Sequence, residues 1–364
     1  MPESTVLGHS YPRVDAADKV SGRSQYASDI YLPGMLMCKV LTSPKVHARI
    51  VHIDTSRAEQ LPGVRGVITA RDVPDVRFGN GAVRDKRLFA LDKVRYIGEP
   101  VAAVAAVDEI TALEALALIE VTYEDLPAVT DLVAALQPGA PLVHEELSSY
   151  EGFKPNMRGN ICTILEADRG DVTAAFAQAE HIFEDTFRSQ GIHQGYLEAM
   201  ACVANADPSG RLNIWTSTQA PYQIRAALAS VLEQPMSHLR VIPMELGGGF
   251  GAKLRLCVEA YPALLSMRTG KPVKFIATRE ESFTIAGFRL PTIVYMKTGV
   301  MRDGTIVARE SISLFDMGAH LGAGVQSGVS HTLGPYHIPN YRMRSYAVYT
   351  NKIWAGSYRA SGVA

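Results

Sequence analysis

The stretch Leu239-Arg240-Val241-Ile242-Pro243-Met244-Glu245-Leu246-Gly247-Gly248-Gly249-Phe250-Gly251-Ala252-Lys253 sets a short β-type run in front of a glycine-rich loop. Its first five residues predict a strand, and an apolar helix is expected around Arg255-Met267 beyond the loop. Consecutive glycines let backbone amides approach an anion closely and point at it, so the loop reads as a ligand cradle. The alternative is a turn that needs glycine only for positive φ. Phe250 counts against that alternative, because a bare turn has no use for a bulky ring. A dinucleotide fingerprint would need G-x-G-x-x-G opening a helix with an acidic residue ~20 further on, and a Walker loop would need Gly-Lys-Ser/Thr. Neither pattern is present.

Working outward, residues 161–364 form one block. It opens with a strand and continues through an N-capped helix over Asp171-Ala179, a strand at His181-Phe187 and a strand at Leu212-Thr216. A helix over Pro221-Leu232 carries proline in its first turn, where the missing amide donor is harmless. Two alternating strands, Thr292-Val300 and Thr305-Asp316, flank Asp303-Gly304, a tight-turn step. Upstream, residues 8–131 alternate strands (Leu36-Leu41, Ile50-Asp54, Val64-Thr69, Val101-Val107, Ile119-Tyr123) with helices Thr55-Gln60 and Glu109-Leu118, the second capped by Asp108. Residues 132–160, rich in Pro and Gly, read as a linker crossing a surface. Strands alternating with short helices predict an α/β or α+β first domain, and the whole a protein of two domains.

With 364 residues, 47% hydrophobic and 20% charged, the composition excludes collagen-like and disordered classes. A formal net charge of -1 gives none of the basic excess that nonspecific nucleic-acid binding uses. No apolar run reaches the ~18 residues of a membrane span. Met1-Pro2-Glu3-Ser4-Thr5 has no basic-then-apolar signal pattern, so a cytoplasmic location is expected. Cys38, Cys162, Cys202 and Cys257 form no C-x-x-C pair, so neither a zinc site nor an iron–sulfur cluster is expected in this chain.

Several further residues carry chemistry in principle. Thr216-Ser217-Thr218-Gln219 stands at a strand end, where α/β sheets place binding groups, though it also reads as a helix-capping turn. His193-Gln194-Gly195-Tyr196-Leu197-Glu198 lacks the second His at helical spacing that a zincin requires, and His193 reads as structural. Arg289 and Arg359 read, taken singly, as surface or ion-pair arginines.

As a set these residues are recognisable. The chain resembles the molybdenum-cofactor subunit of the xanthine dehydrogenase/aldehyde oxidase family, the molybdenum hydroxylases, nearly end to end. Arg13-Val14-Asp15-Ala16-Ala17-Asp18-Lys19-Val20-Ser21-Gly22-Arg23, Asp29-Ile30-Tyr31-Leu32-Pro33-Gly34, Ser43-Pro44-Lys45-Val46-His47-Ala48-Arg49 and Tyr96-Ile97-Gly98-Glu99-Pro100-Val101 resemble the family's a/b hammerhead domain. Thr218-Gln219-Ala220-Pro221 and Gly247-Gly248-Gly249-Phe250-Gly251-Ala252-Lys253 resemble the pyranopterin-holding motifs of its first molybdopterin-binding (MoCo) domain. The resemblance implies a hammerhead domain over 8–131 and a MoCo domain over 161–364.

By the same resemblance Gln219 matches the glutamine whose amide bonds an oxo ligand of molybdenum. Gly248, Gly249, Phe250 and Gly251 match the loop against metal and pterin, and Arg359 matches the arginine beside the metal. Arg289 falls where some members carry a substrate-orienting arginine. No protein ligand to molybdenum is implied, since the cofactor's own sulfurs hold it. The implied cofactor is molybdenum-molybdopterin, with a cytosine dinucleotide form among the options. A [2Fe-2S] subunit and an FAD subunit are the implied electron-transfer partners. Leu254 stands where purine-oxidising members have a glutamate, and Ser361 where they have an aromatic, so xanthine is disfavoured. The family subunit is about twice as long, and the general base lies in its second half. Two readings follow. One is half of a split hydroxylase acting on an aldehyde, N-heteroaromatic or aryl-CoA with a second polypeptide. The other is a truncated, inactive fragment with at most a scaffolding role.

Overall fold

The computed structural model describes residues 7–79, 83–322 and 332–360. Its largest sheet has seven strands in the order Leu239–Pro243, Leu212–Thr216, Ala201–Ala206, Val273–Ile276, Leu36–Thr42, Pro100–Ala106, Val64–Thr69. Leu36–Thr42 runs parallel to Val273–Ile276, so strands from both halves of the sequence share one sheet. Val101 to Ala106 are fully buried because helices cover both faces there. Glu109–Leu118 packs on one side and Ala260–Thr269 on the other, so small Ala and Val side chains suit the strand between them. The first of these helices starts where expected, with the Asp108 carboxylate accepting from Thr111 N at 2.8 Å.

A second, five-stranded sheet runs Ile161–Arg169, Asn340–Tyr349, Ile306–Gly318, Thr292–Val300, His181–Ser189. Its central hairpin turns at Gly304, whose φ of 90° is the left-handed conformation that the Asp-Gly step anticipates. The edge strand His181–Ser189 is exposed along almost its whole length and carries Ile182, Phe183 and Phe187 outward. Lys93–Val94, Ala48–Asp54 and Glu120–Asp125 make a small third sheet. Residues 132–160 hold two single-turn helices and bury Val143, His144, Leu147 and Tyr150.

One expectation is corrected. The apolar helix begins at Ala260, not near Arg255. The buried Glu259 carboxylate accepts from Cys257 N and Val258 N at 3.1 Å each and from Thr216 Oγ1 at 3.0 Å. Those bonds hold 255–259 out of the helix and tie it to the strand end that leads to Gln219. Burial pushes the Glu259 carboxyl above its ordinary range.

Candidate cofactor-binding site

Strand Leu212–Thr216 delivers Thr216, Ser217 and Thr218 into the interior and then Gln219 to the surface. Gln219 N donates to Lys253 O at 2.9 Å, and Thr218 Oγ1 donates to the same carbonyl at 3.1 Å. Thr218 Oγ1 also accepts from Ala220 N at 3.1 Å, just before the helix Pro221–Val231. The Gln219 side chain turns back, and its Oε1 accepts from Gly251 N at 3.0 Å. With the oxygen so engaged, the exposed amide presents its Nε2 protons outward.

The glycines are there because nothing larger fits. A Cβ on Gly249 would lie 2.5 Å from Gln219 Oε1, and one on Gly251, whose φ is +100°, would lie 2.7 Å from Ser357 O. Phe250 adopts φ 50°, left-handed and rare for a bulky residue, and still leaves its ring 42% exposed. Backbone held in a sparsely populated region, beside an aromatic presented to solvent, is what a functional loop shows.

The third component is the turn after Trp354. Arg359 N donates to Phe250 O at 2.9 Å, and the Arg359 side chain is exposed. Ala360, next to it, has φ 62°. The same segment pairs with Phe288: Phe288 N donates to Trp354 O at 3.3 Å and Gly356 N to Phe288 O at 2.7 Å. That pairing brings Arg289 to the turn, its guanidinium 5.9 Å from the centre of the Tyr358 ring. Gln219, Gly249, Phe250, Gly251 and Arg359 are therefore joined at one loop, with Arg289 beside it through Tyr358, from four separate stretches of chain. Leu254 is half-buried and borders a cavity of about 250 Å³ with Phe78, Gln223 and Ala227. Ser361 lies outside the described residues.

Two supporting residues escape the sequence analysis, and a third, His193, is structural as expected. Gln194 Nε2 donates to Gly287 O and to Ser357 O, both at 2.8 Å, joining the Arg289 segment to the Arg359 turn. Glu198 Oε2 accepts from Gly247 N at 2.7 Å and from Lys253 Nζ at 2.7 Å. Burial pulls the Lys253 ammonium below its ordinary value, and Glu198 opposes that pull. His193 donates through Nε2 to Ser282 O at 3.2 Å and accepts from Gly195 N at 3.1 Å, so the neutral ring has both nitrogens engaged. Gln194 and Glu198 lie in the stretch His193–Glu198 singled out by sequence, but nothing there points to these contacts, which join residues 163 and 49 positions apart.

A second constellation lies elsewhere. Asp85, His144 and His320 bring three ligand-type atoms within 4.8 Å of one another, all buried. Both His144 nitrogens are engaged, Nε2 with Ala319 O at 2.6 Å and Nδ1 with Tyr150 Oη at 2.8 Å. Asp85 Oδ2 accepts from Leu321 N at 2.6 Å and Tyr349 Oη at 2.7 Å. With His144 held in this way, the group acts as a polar knot binding residues 83–99, the 132–160 segment and the second sheet, with Asp85 Oδ1 and His320 Nδ1 3.8 Å apart.

Comparison with known proteins identifies the family and its two domains. Residues 153–364 match the molybdopterin cofactor-binding domain, and residues 21–127 match the a/b hammerhead domain of aldehyde oxidase and xanthine dehydrogenase. The chain is 36% identical over 362 residues to the nicotinate dehydrogenase large molybdopterin subunit of Eubacterium barkeri, covering 98% of this chain and 82% of that one. It is 32% identical over 373 residues to the carbon monoxide dehydrogenase large chain of Afipia carboxidovorans, covering 98% of this chain and 46% of that one. The crystal structure of quinoline 2-oxidoreductase from Pseudomonas putida 86 matches with a TM-score of 0.86 at 32% identity, over 98% of this chain and 46% of that one. The chain thus spans most of the first relative and about half of the other two. Among the described residues no helix is long and apolar enough to cross a membrane.

Proposed function

Because the chain belongs to the xanthine dehydrogenase/aldehyde oxidase family of molybdenum hydroxylases, we propose that it forms the glycine-loop half of a molybdenum-molybdopterin site. The carrying observation is the single loop, Gly248 to Gly251, at which Gln219 and Arg359 are joined. The residues present fit such a group. The loop offers bare backbone flanked by one exposed ring, Gln219 offers amide protons, and Arg359 offers an exposed cation. When bound, the cofactor supplies the oxidising centre that takes an electron pair from the substrate carbon while water supplies the oxygen.

This chain's own residues bind and orient. Gln219 Nε2 donates toward the cofactor because its Oε1 is fixed by Gly251 N. Arg359 stands on the Phe250 carbonyl and balances negative charge beside the loop. Arg289, next to Tyr358, is placed to pair with a substrate carboxylate or carbonyl oxygen through its planar fork. The general base and the rest of the pocket come from a second polypeptide. Exposed Leu197, Tyr222, Phe250 and Phe283 around the site, and Phe183 and Phe187 on the edge strand, supply apolar surface for it. Electrons leave to a [2Fe-2S] subunit and an FAD subunit, in the cytoplasm.

Among aldehydes, N-heteroaromatics and aryl-CoA thioesters, we favour an N-heteroaromatic carboxylate. The relatives named for nicotinate and quinoline support an N-heteroaromatic ring, and nicotinate, Arg289 and the absence of a carboxylate at Leu254 support a carboxylate on it. The test is co-production with the second half and the electron-transfer subunits, followed by kcat/KM for nicotinate, benzaldehyde, 4-hydroxybenzoyl-CoA and xanthine. Nicotinate should lead and xanthine trail. Xanthine as the best substrate overturns the pocket reading, and an assembled enzyme without molybdenum overturns the cofactor reading.

A further inference from the structure

We propose that Glu198 and Lys253 are the positioning pair of the glycine loop, a buried staple that fixes where Gly249, Phe250 and the Gln219 amide lie. The inference rests on the cofactor-binding reading above and names the residues that make its geometry. The loop has two ends, Gly247 and Lys253, and both are fastened to Glu198. Glu198 N donates to Gly247 O at 3.0 Å and Glu198 Oε2 accepts from Gly247 N at 2.7 Å, a reciprocal pair at the loop's start. At its end, Lys253 Nζ donates to Glu198 O at 2.9 Å and to Oε2 at 2.7 Å. Residues 248–252 arch between two points held by one side chain.

The same knot reaches Gln219 from the other side. Lys253 O accepts from both Gln219 N and Thr218 Oγ1, so the residue whose ammonium is clamped by Glu198 also anchors the glutamine backbone. A shift of Lys253 would carry the Gln219 amide with it, away from Gly251.

Stability is not the reason for this pair. The Lys253 side chain is fully buried and Glu198 is 13% exposed, and burying two such charges commonly gains nothing over apolar residues of equal volume. Nor is the carboxylate used for maximal pairing. Both the Gly247 amide and the Lys253 ammonium converge on Oε2, while buried Oε1 has no hydrogen-bond partner among the described residues. One oxygen serves two donors because the two ends of the loop must meet at one point. The approach is tight as well, since a Cβ on Gly247 would lie 2.5 Å from Glu198 Cβ.

The test uses the assembled holoenzyme produced with its partner subunits, reading molybdenum per protein by elemental analysis and the Mo(V) electron paramagnetic resonance signal after dithionite reduction. Neither readout needs the natural substrate. Glu198→Ala should load about tenfold less molybdenum and shift the Mo(V) signal in the fraction that loads. Glu198→Gln, which keeps an acceptor for Gly247 N and Lys253 Nζ, should restore loading to within about threefold of the parent. Gly247→Ala keeps both charges and strikes only the close approach, and should lower loading about threefold to tenfold with the same signal shift. It covers the case in which Glu198→Ala fails to fold. A loaded parent together with Glu198→Ala and Gly247→Ala that load equally and give an unchanged signal overturns the positioning role alone. A parent without molybdenum overturns the cofactor reading, and this inference with it.

Discussion

The glycine-loop face and the Asp85–His144–His320 knot hold similar kinds of polar groups and turn them in opposite directions. In the knot, Asp85, His144 and His320 are each 2–3% exposed, and Asp85 Oδ2 and both His144 nitrogens meet partners from separate parts of the chain. On the loop face the backbone is what is satisfied internally, while Gln219, Phe250 and Arg359 are left facing out. A cluster of ligand-type side chains is therefore weaker evidence of a site than a strained, well-anchored backbone that leaves its functional side chains exposed.

The sharpest way to break the comparison is to damage each region and ask which property fails. Asp85→Ala leaves Leu321 N and Tyr349 Oη buried without an acceptor, at roughly 1–3 kcal/mol per group. Unfolding free energy should fall by about 3 kcal/mol, read by denaturant titration. Asp85→Asn, which keeps an acceptor oxygen, should recover most of that. A loss below about 1 kcal/mol in Asp85→Ala would mean the knot does not hold the sequence blocks together.

Gln219→Ala should behave in the reverse way. The side chain is exposed and, among the described residues, its one internal bond is to Gly251 N, so stability should change by less than about 1 kcal/mol. Turnover of the assembled enzyme should fall about a hundredfold, the size seen when one positioned donor is removed from a reacting centre. Unchanged turnover at full molybdenum content would remove Gln219 from the site.

How much of this is legible in the sequence follows from how local each signal is. Val64–Thr69, Leu239–Pro243, Thr292–Val300 and Glu109–Leu118 match their expected spans because period, caps and turn residues lie within a few positions. The strands Ala201–Ala206, Val273–Ile276 and Asn340–Tyr349 do not stand out in the sequence pattern. The first is alanine-rich, and the second is four residues long and carries Lys274, whose ammonium is taken up by Ser28 O at 2.8 Å from the far end of the chain. The Thr278–Glu281 capping box before Arg279–Ile285 is readable in principle. At the site, Gln219, the glycines and Arg359 are accessible through motif resemblance. Glu198 and Gln194 are not, because their roles arise only when distant segments fold together.

A smaller effect separates the regions by pH. Burial holds His144 well below its ordinary value, with Arg95 and His320 adding to the effect, so the folded ring stays neutral. The unfolded ring takes up a proton as pH falls through about 6.5. Below that point the unfolded state binds more protons, so stability drops with falling pH by up to about 1.4 kcal/mol per unit for this group. His47 and His193, also lowered by burial, act in the same direction, whereas Asp85, raised by burial, opposes it in the acid range. Denaturant titrations at pH 7.5 and 5.5 should show the loss, and His144→Gln should flatten it. An equal slope in that variant would place the proton uptake elsewhere.

The smallest expected effect tests whether strain at the rim serves function. Ala360 sits at φ 62°, where a Cβ is disfavoured by roughly 1–2 kcal/mol. Glycine would relieve that strain but adds freedom to the unfolded chain worth about 0.4–1 kcal/mol. The two terms nearly cancel, so Ala360→Gly should change stability by less than about 1 kcal/mol. If the left-handed alanine exists to hold the adjacent Arg359 against Phe250 O, the same substitution should still lower turnover of the assembled enzyme, by about twofold to fivefold, because the freed turn presents its arginine less often in place. Unchanged turnover would show that the Phe250 carbonyl alone fixes the arginine and that the alanine's conformation is incidental.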